Sequence, residues 1–322
     1  MARLRDIPKV LAVVGPWDFT KRIGKEIADD GIFVWASALA YAWLFAIFPF
    51  FIFLLTLLPY LPAEVKMQAE GTLHDALNNT LATEAADTLW PNIERVLHQP
   101  HTGLLSAGIL LTMWAASGGM NMTMSALDRC YDVPKSRPFY RQRPLAVALT
   151  IIVATLILAV LVLLPIGTAV TQFVRERHIY GISEGMLVAW NVARYSLALV
   201  LMLGILAIIY YFAPAVKQRF SIFTPGAVFT LTVWMLLGFC FRVYVNRFGR
   251  YDQTYGTVGG VAILMLFFYI DAVVLLVGAE INSEMDFALG VPRGSTDFRT
   301  LPVNEDENGP RLGANPREFR RV

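Results

Sequence analysis

Asp271 has the most unusual setting of any ionisable residue in the chain. No other charge occurs between Asp252 and Glu280, and the stretch Val261–Ile270 is apolar throughout. Counted from Thr257, Asp271 lies roughly 21 Å along a helix. An ionised aspartate near a bilayer centre costs about 2.5–3.5 kcal/mol, so it calls for a proton, a partner or a watery cavity. Arg242 is the obvious counter-ion, yet it sits only about 6 Å from the outer end of its own helix and can snorkel outward. The two depths do not match. Glu280 and Glu284 come at the other end of the same run, where Arg129, Arg137 or Arg141 would meet them as ion pairs anchoring helix ends.

The remaining candidates are weaknesses in helices rather than reactive groups. Pro49 interrupts the first apolar run and predicts a kink that frees a carbonyl. Gly118, Gly119 and Asn121 thin the second run in the same way. Discontinuous helices are a pointer to a translocation site, so Pro49, Gly118, Gly119, Asn121, Tyr255 and Asp271 form the expected lining. Catalytic signatures are missing: the chain has no P-loop, no GxGxxG, no GxSxG and no HExxH. His98-Gln-Pro-His101 is a weak metal pattern without a thiol or clear carboxylate beside it. No catalytic residue, metal or cofactor is expected, and the chain reads as a protein other than an enzyme.

What positions these residues is a set of membrane spans. Of 322 residues 56% are hydrophobic and 16% charged, against about 45–50% and about 25% in a soluble domain. Mean hydropathy is +0.53. Six runs reach the ~20 residues that cross a bilayer core: 32–58, 104–124, 145–170, 187–212, 223–245 and 258–281. Each must be helical to satisfy its backbone in lipid. The fold class is therefore all-α, a polytopic membrane protein with six transmembrane helices. The second run is the weakest, diluted by Ser117, the glycine pair, Asn121 and Thr123.

Charge fixes the expected orientation. Segments 1–31, 128–144, 213–221 and 282–322 hold 6, 5, 2 and 6 Lys and Arg, which is 19 of the 27 in the chain. Basic residues gather on the cytoplasmic side, so both termini are expected inside. The short loop with Arg129, Arg137, Arg141 and Arg143 is the strongest part of this argument, and those four are expected to contact lipid headgroups. No cleavable signal peptide is expected, since the apolar run at 11–15 is short and Asp18 follows it. Cys130 and Cys240 cannot build a disulfide framework.

Between the spans, residues 59–103 form one long external segment. Leu73, Leu77, Leu81, Ala85, Leu89, Ile93 and Leu97 recur at four, which predicts an external helical cap of two amphipathic helices broken near Pro91. Residues 1–31 read as a cytoplasmic amphipathic segment, with Lys21, Arg22 and Lys25 among Phe19, Ile23 and Ile27; it either lies on the anionic inner leaflet or serves only to orient the chain. Residues 32–281 form the transmembrane domain, and 282–322 a largely disordered cytoplasmic tail. Ala38, Ala42 and Ala46, and Gly256 with Gly260, are spaced for close helix packing.

A series of short motifs then becomes informative. Ser37-Ala-Leu-Ala-Tyr41 with Ile47-Phe-Pro49, Trp114-Ala-Ala-Ser-Gly-Gly-Met120, Ala126-Leu-Asp-Arg-Cys-Tyr131, Pro225-Gly-Ala227, Thr254-Tyr-Gly256 and Gly278-Ala-Glu-Ile-Asn282 together resemble the BrkB/YihY-type bacterial inner-membrane proteins. The resemblance covers about three quarters of the chain. It implies a six-helix inner-membrane protein linked to envelope integrity and serum resistance, with lipid export proposed. It also carries an old ribonuclease label, which the residues do not support, because all four histidines fall outside. Asp271 and Arg242 depart from the family pattern, where neutral residues are usual.

Two functions follow as expectations. One is a transporter or lipid-translocating protein of the cell envelope. The other is a non-transporting membrane scaffold that docks envelope partners. Expected partners are membrane lipids, with envelope proteins or a homo-oligomer as further possibilities and no nucleic acid.

Overall fold

The computed structural model describes residues 2–57, 71, 90, 102–134, 136–176, 183–248 and 252–291. All regular structure among them is helical. A short 3-10 turn, Leu4–Asp6, leads into α1 (Ile7–Val14) and α2 (Pro16–Asp29). The long helices follow: α3 (Ile32–Leu57), α4 (Thr102–Cys130), α5 (Phe139–Glu176), α6 (Glu184–Phe212), α7 (Pro225–Phe248) and α8 (Asp252–Ala288). The expected cap at 59–103, the tail beyond 291 and the Tyr255 side chain lie outside the described residues.

Glycine sets the sharp corners. Gly15 at φ +84° separates α1 from α2, and Gly31 at φ +64° separates α2 from α3; a side chain would strain either turn. Proline at the first turn opens α1 and α2, where its missing N–H costs nothing. Ser183 caps α6 by accepting from the Met186 N–H.

Among the described residues five helices are long and apolar enough to cross a membrane: 32–49, 139–164, 184–212, 225–243 and 260–288. The sixth expected span is present as α4, whose 29 residues are long enough for a bilayer but carry the polar dilution noted above. Their apolar surfaces remain exposed, with Leu110 70%, Trp114 69% and Val192 60% open. Such rows suit hydrocarbon, not water.

The chain divides into two compact units. The first comprises Met1–Ile32, Thr123–Trp234 and Val274–Val322; the second comprises Phe33–Met122 and Met235–Val273. In the first unit the N-terminal hairpin packs its apolar stripe on the end of α8: Val10 joins Met285 and Ala288, flanked by Val14 and Phe19. Phe19 of α2 reaches this cluster, whereas Ile23 and Ile27 stay half-exposed and Trp17 is 79% exposed. α5 and α6 pack as an antiparallel hairpin in the same unit, with Gly167 against Trp190 and Leu164 against Arg194.

In the second unit the helices run on through the expected weak points. α3 continues through Pro49, and α4 continues through Gly118 and Gly119. Thr112 Oγ1 donates to the Pro49 carbonyl at 2.7 Å, tying α4 to α3 where proline weakens the ladder. A methyl on Gly119 would lie 3.3 Å from Trp43 Cδ1 and 4.0 Å from the Ala42 carbonyl. The glycine serves close packing rather than a break.

A buried polar junction as candidate functional site

In the first unit, residues from four long helices and two turns meet around the last third of α8. Glu280 is 1% exposed, Asn282 0%, Ser283 9%, Glu284 3% and Asp286 9%. A helix that buries polar groups on every side is enclosed by other helices, and each group then needs a partner.

The crossing of α7 over α8 sets the geometry. A Cβ on Gly226 would collide with the Gly278 carbonyl, and one on Gly278 would collide with Thr230 Oγ1 and Tyr210 Oη. The Gly226 N–H, at the open start of α7, donates to Asn282 Oδ1 at 2.8 Å. The Tyr210 hydroxyl donates to the Leu275 carbonyl and shares a 2.8 Å hydrogen bond with Thr230 Oγ1. Pro225-Gly-Ala227 and Gly278-Ala-Glu-Ile-Asn282, distant in sequence, are thus two halves of one contact. The Tyr131 hydroxyl lies beside Asn282, and neither it nor Asn282 Nδ2 makes a well-formed hydrogen bond.

The segment after α6 is clasped to the end of α4. Asp128 accepts from the Ala215 N–H at 2.6 Å. Arg137 donates from both terminal nitrogens to the Ala213 and Pro214 carbonyls, each at 2.7 Å. Gln218 Nε2 donates to the Tyr210 carbonyl at 2.6 Å. Burial raises the Asp128 carboxyl pKa, against the Ala215 hydrogen bond that lowers it. Burial likewise lowers Arg137, against the opposing charge of Asp128.

A carboxyl pair stands beside this clasp. Asp30, 7% exposed at the corner between α2 and α3, makes a side-chain hydrogen bond with Glu280 and an ion pair with Arg129 at 3.3 Å. The Cys130 thiol reaches the Leu276 carbonyl at 3.8 Å and also lies against Glu280. Burial pushes that thiol well above the usual range. It is buried and free, whereas Cys240 is free and exposed.

At Glu280 the neighbours are a carboxyl and a thiol. Arg129 faces Asp30, Arg137 holds carbonyls and Arg141 lies over the Tyr140 ring at 5.6 Å. Glu280 meets Asp30 and Cys130; Glu284 is buried in the same region. Of the four arginines expected on headgroups, Arg137 is spent on the α6 end because a guanidinium can satisfy two orphan carbonyls at once. Arg141 stays exposed and Arg143 half-exposed.

The expected translocation lining falls in the second unit. Pro49, Gly118, Gly119, Asn121 and Asp271 all belong to it. Trp43 joins part of the set, packing on Gly119 and edge-on to Phe268 at 6.2 Å; Phe268 is one helical turn before Asp271. Asp271 is half-buried and Arg242 exposed, consistent with separate settings for the two. Among the described residues no group of His, Cys, Asp and Glu is arranged to hold a metal.

One charge escaped the sequence reading. Arg194, ten residues into α6, is 4% exposed. Its guanidinium reaches Thr168 Oγ1 at 3.2 Å and the Leu164 carbonyl at 3.4 Å, rests on Gly167 and leaves Nε without a hydrogen bond. Charge counting places it with the outer loops; only the α5–α6 packing reveals it as internal.

The family model described as "Virulence factor BrkB" matches residues 23–295. The chain belongs to the BrkB family. It is similar to the "ribonuclease-like protein YfkH" of Bacillus subtilis (strain 168), 32% identical over 252 residues, covering 77% of this chain and 88% of that one. It is also similar to a UPF0761 membrane protein of Xanthomonas axonopodis pv. citri, 23% identical over 290 residues, covering 88% of this chain. This BrkB-family chain spans 63% of the length of that Xanthomonas protein. No solved structure matches.

Proposed function

We propose that this BrkB-family protein moves a lipid or lipid-like amphiphile across the bacterial inner membrane, with both termini in the cytoplasm. The observation that carries this reading is the set of ionisable groups enclosed within membrane-length helices. Arg194, within the 187–212 run, is 4% exposed and keeps Nε without a partner, and Glu280, at the inner end of α8, is 1% exposed and keeps Oε1 without one. Charge inside a membrane is costly and ordinarily marks a pathway or a relay. The broad apolar surface of α4, α5 and α6 gives an amphiphile lateral access, and the exposed Arg141 beside Phe139 and Tyr140 suits a headgroup region.

A scaffold is the competing reading, and the close Gly226–Gly278 crossing favours it, since such packing makes a rigid post. Reconstitution separates the two. Purified protein in vesicles carrying a headgroup-labelled phospholipid should let an impermeant quencher bleach label that began in the inner leaflet. Bleaching confined to the outer leaflet, as in protein-free vesicles, would sink the translocation reading and leave the scaffold.

A further inference from the structure

We propose that Asp30 and Glu280 share a single proton and form the proton-binding site of this protein. Two carboxyl groups in hydrogen-bond contact require a hydrogen between them, because two carboxylates offer only acceptors and repel. Both are buried, Glu280 almost completely. Glu280 Oε1 has no hydrogen-bond partner, so ionising this residue would leave a buried charge with an unsatisfied oxygen. The proton is held where its loss is costly.

The surroundings of the pair are asymmetric. α2 contributes Glu26, the turn after α4 contributes Asp132, and α4 contributes Arg129 and the Cys130 thiol. The acidic neighbours favour retention of the proton. Arg129 opposes them from the rim, with its side chain 55% exposed and Nε 3.3 Å from Asp30 Oδ1. When the proton departs to water, the pair becomes doubly negative and Arg129 is the cation placed to answer it. Asp30 at the Gly31 corner is the end nearer solvent, and Glu280 is the inner end.

The use of this proton to drive translocation rests on the function proposed above; the shared proton does not. Infrared difference spectra of the full chain in nanodiscs, taken across a pH series, test the site itself. The wild type should show a titrating protonated-carboxyl C=O band that Glu280→Gln loses and Asp30→Asn shifts in frequency and midpoint, while Asp271→Asn leaves both unchanged. Glu280→Gln still donates to Asp30 and keeps the fold, which a thermal melt checks. A band of equal amplitude in wild type and both pair variants, or no band in the wild type, would overturn the proposal. In vesicles with a pH gradient, wild-type lipid movement should change several-fold with the gradient and that of Glu280→Gln should not. Lipid movement indifferent to the gradient, with the infrared band present, overturns the coupling alone. No lipid movement at all overturns the proposed function and leaves the proton site standing.

Discussion

Gly226 and Gly278 are single-atom decisions. A methyl at either would intrude on backbone or on the Tyr210–Thr230 pair, and overpacking of this kind costs about 1–3 kcal/mol. Gly226→Ala and Gly278→Ala should each lower the melting temperature in detergent by several degrees. Gly204→Ala, where nothing lies within 4 Å of the new atom, should hold the melting temperature or raise it, as alanine is the better helix former by up to about 1 kcal/mol. Equal melting for all three would disprove the tight crossing. Asp30 carries a pH dependence of known sign. Burial, then the charge of Asp132, raise its pKa above the ordinary range. Its contribution to stability is therefore full below about pH 4 and is lost as pH rises through the raised value. Thermal melts across that window should show a decline that Asp30→Asn flattens; a steeper decline in the variant would contradict the assignment.

At the scale of elements, the short segment after α6 is held by side chains from α4 and from the residues that follow it. Arg137 satisfies the Ala213 and Pro214 carbonyls, and hydrogen bonds from a charged donor contribute about 1.5–3 kcal/mol. Arg137→Gln should destabilise the protein by that order, read by chemical denaturation, whereas Arg141→Gln should stay within about 0.5 kcal/mol. The reverse ranking would return Arg137 to the lipid surface. These roles explain what was legible in the sequence. Long apolar runs announce spans because lipid allows little else, and every expected span has its helix. Contacts between distant segments carry no periodic signal. Asp128 and Ala215, or Asn282 and Gly226, become partners only through the fold. Pro49 and Gly119 show the same: their contacts with Thr112 and Trp43 join distant segments and leave no local signal.

For the whole molecule, orientation and function are linked. A cysteine at Ser136 should react with an impermeant reagent only after lysis, and one at Ser183 should react in intact cells; labelling of Ser136 in intact cells would invert the proposed topology, including the side from which Asp30 takes its proton. Asp271 then decides how the membrane region is used. It sits half-buried in the second unit, on α8 one turn beyond the Phe268 that packs on Trp43. Asp271→Asn preserves size and hydrogen bonding while removing the ionisable group. In a rigid scaffold an intramembrane carboxyl serves nothing, so its neutralisation should leave stability equal or higher and the envelope function intact. In a translocating protein the same variant should fold, melt normally and fail to rescue a deletion strain. Full rescue at wild-type abundance would remove Asp271 from the pathway and shift the burden of translocation to Arg194 and the Asp30–Glu280 pair.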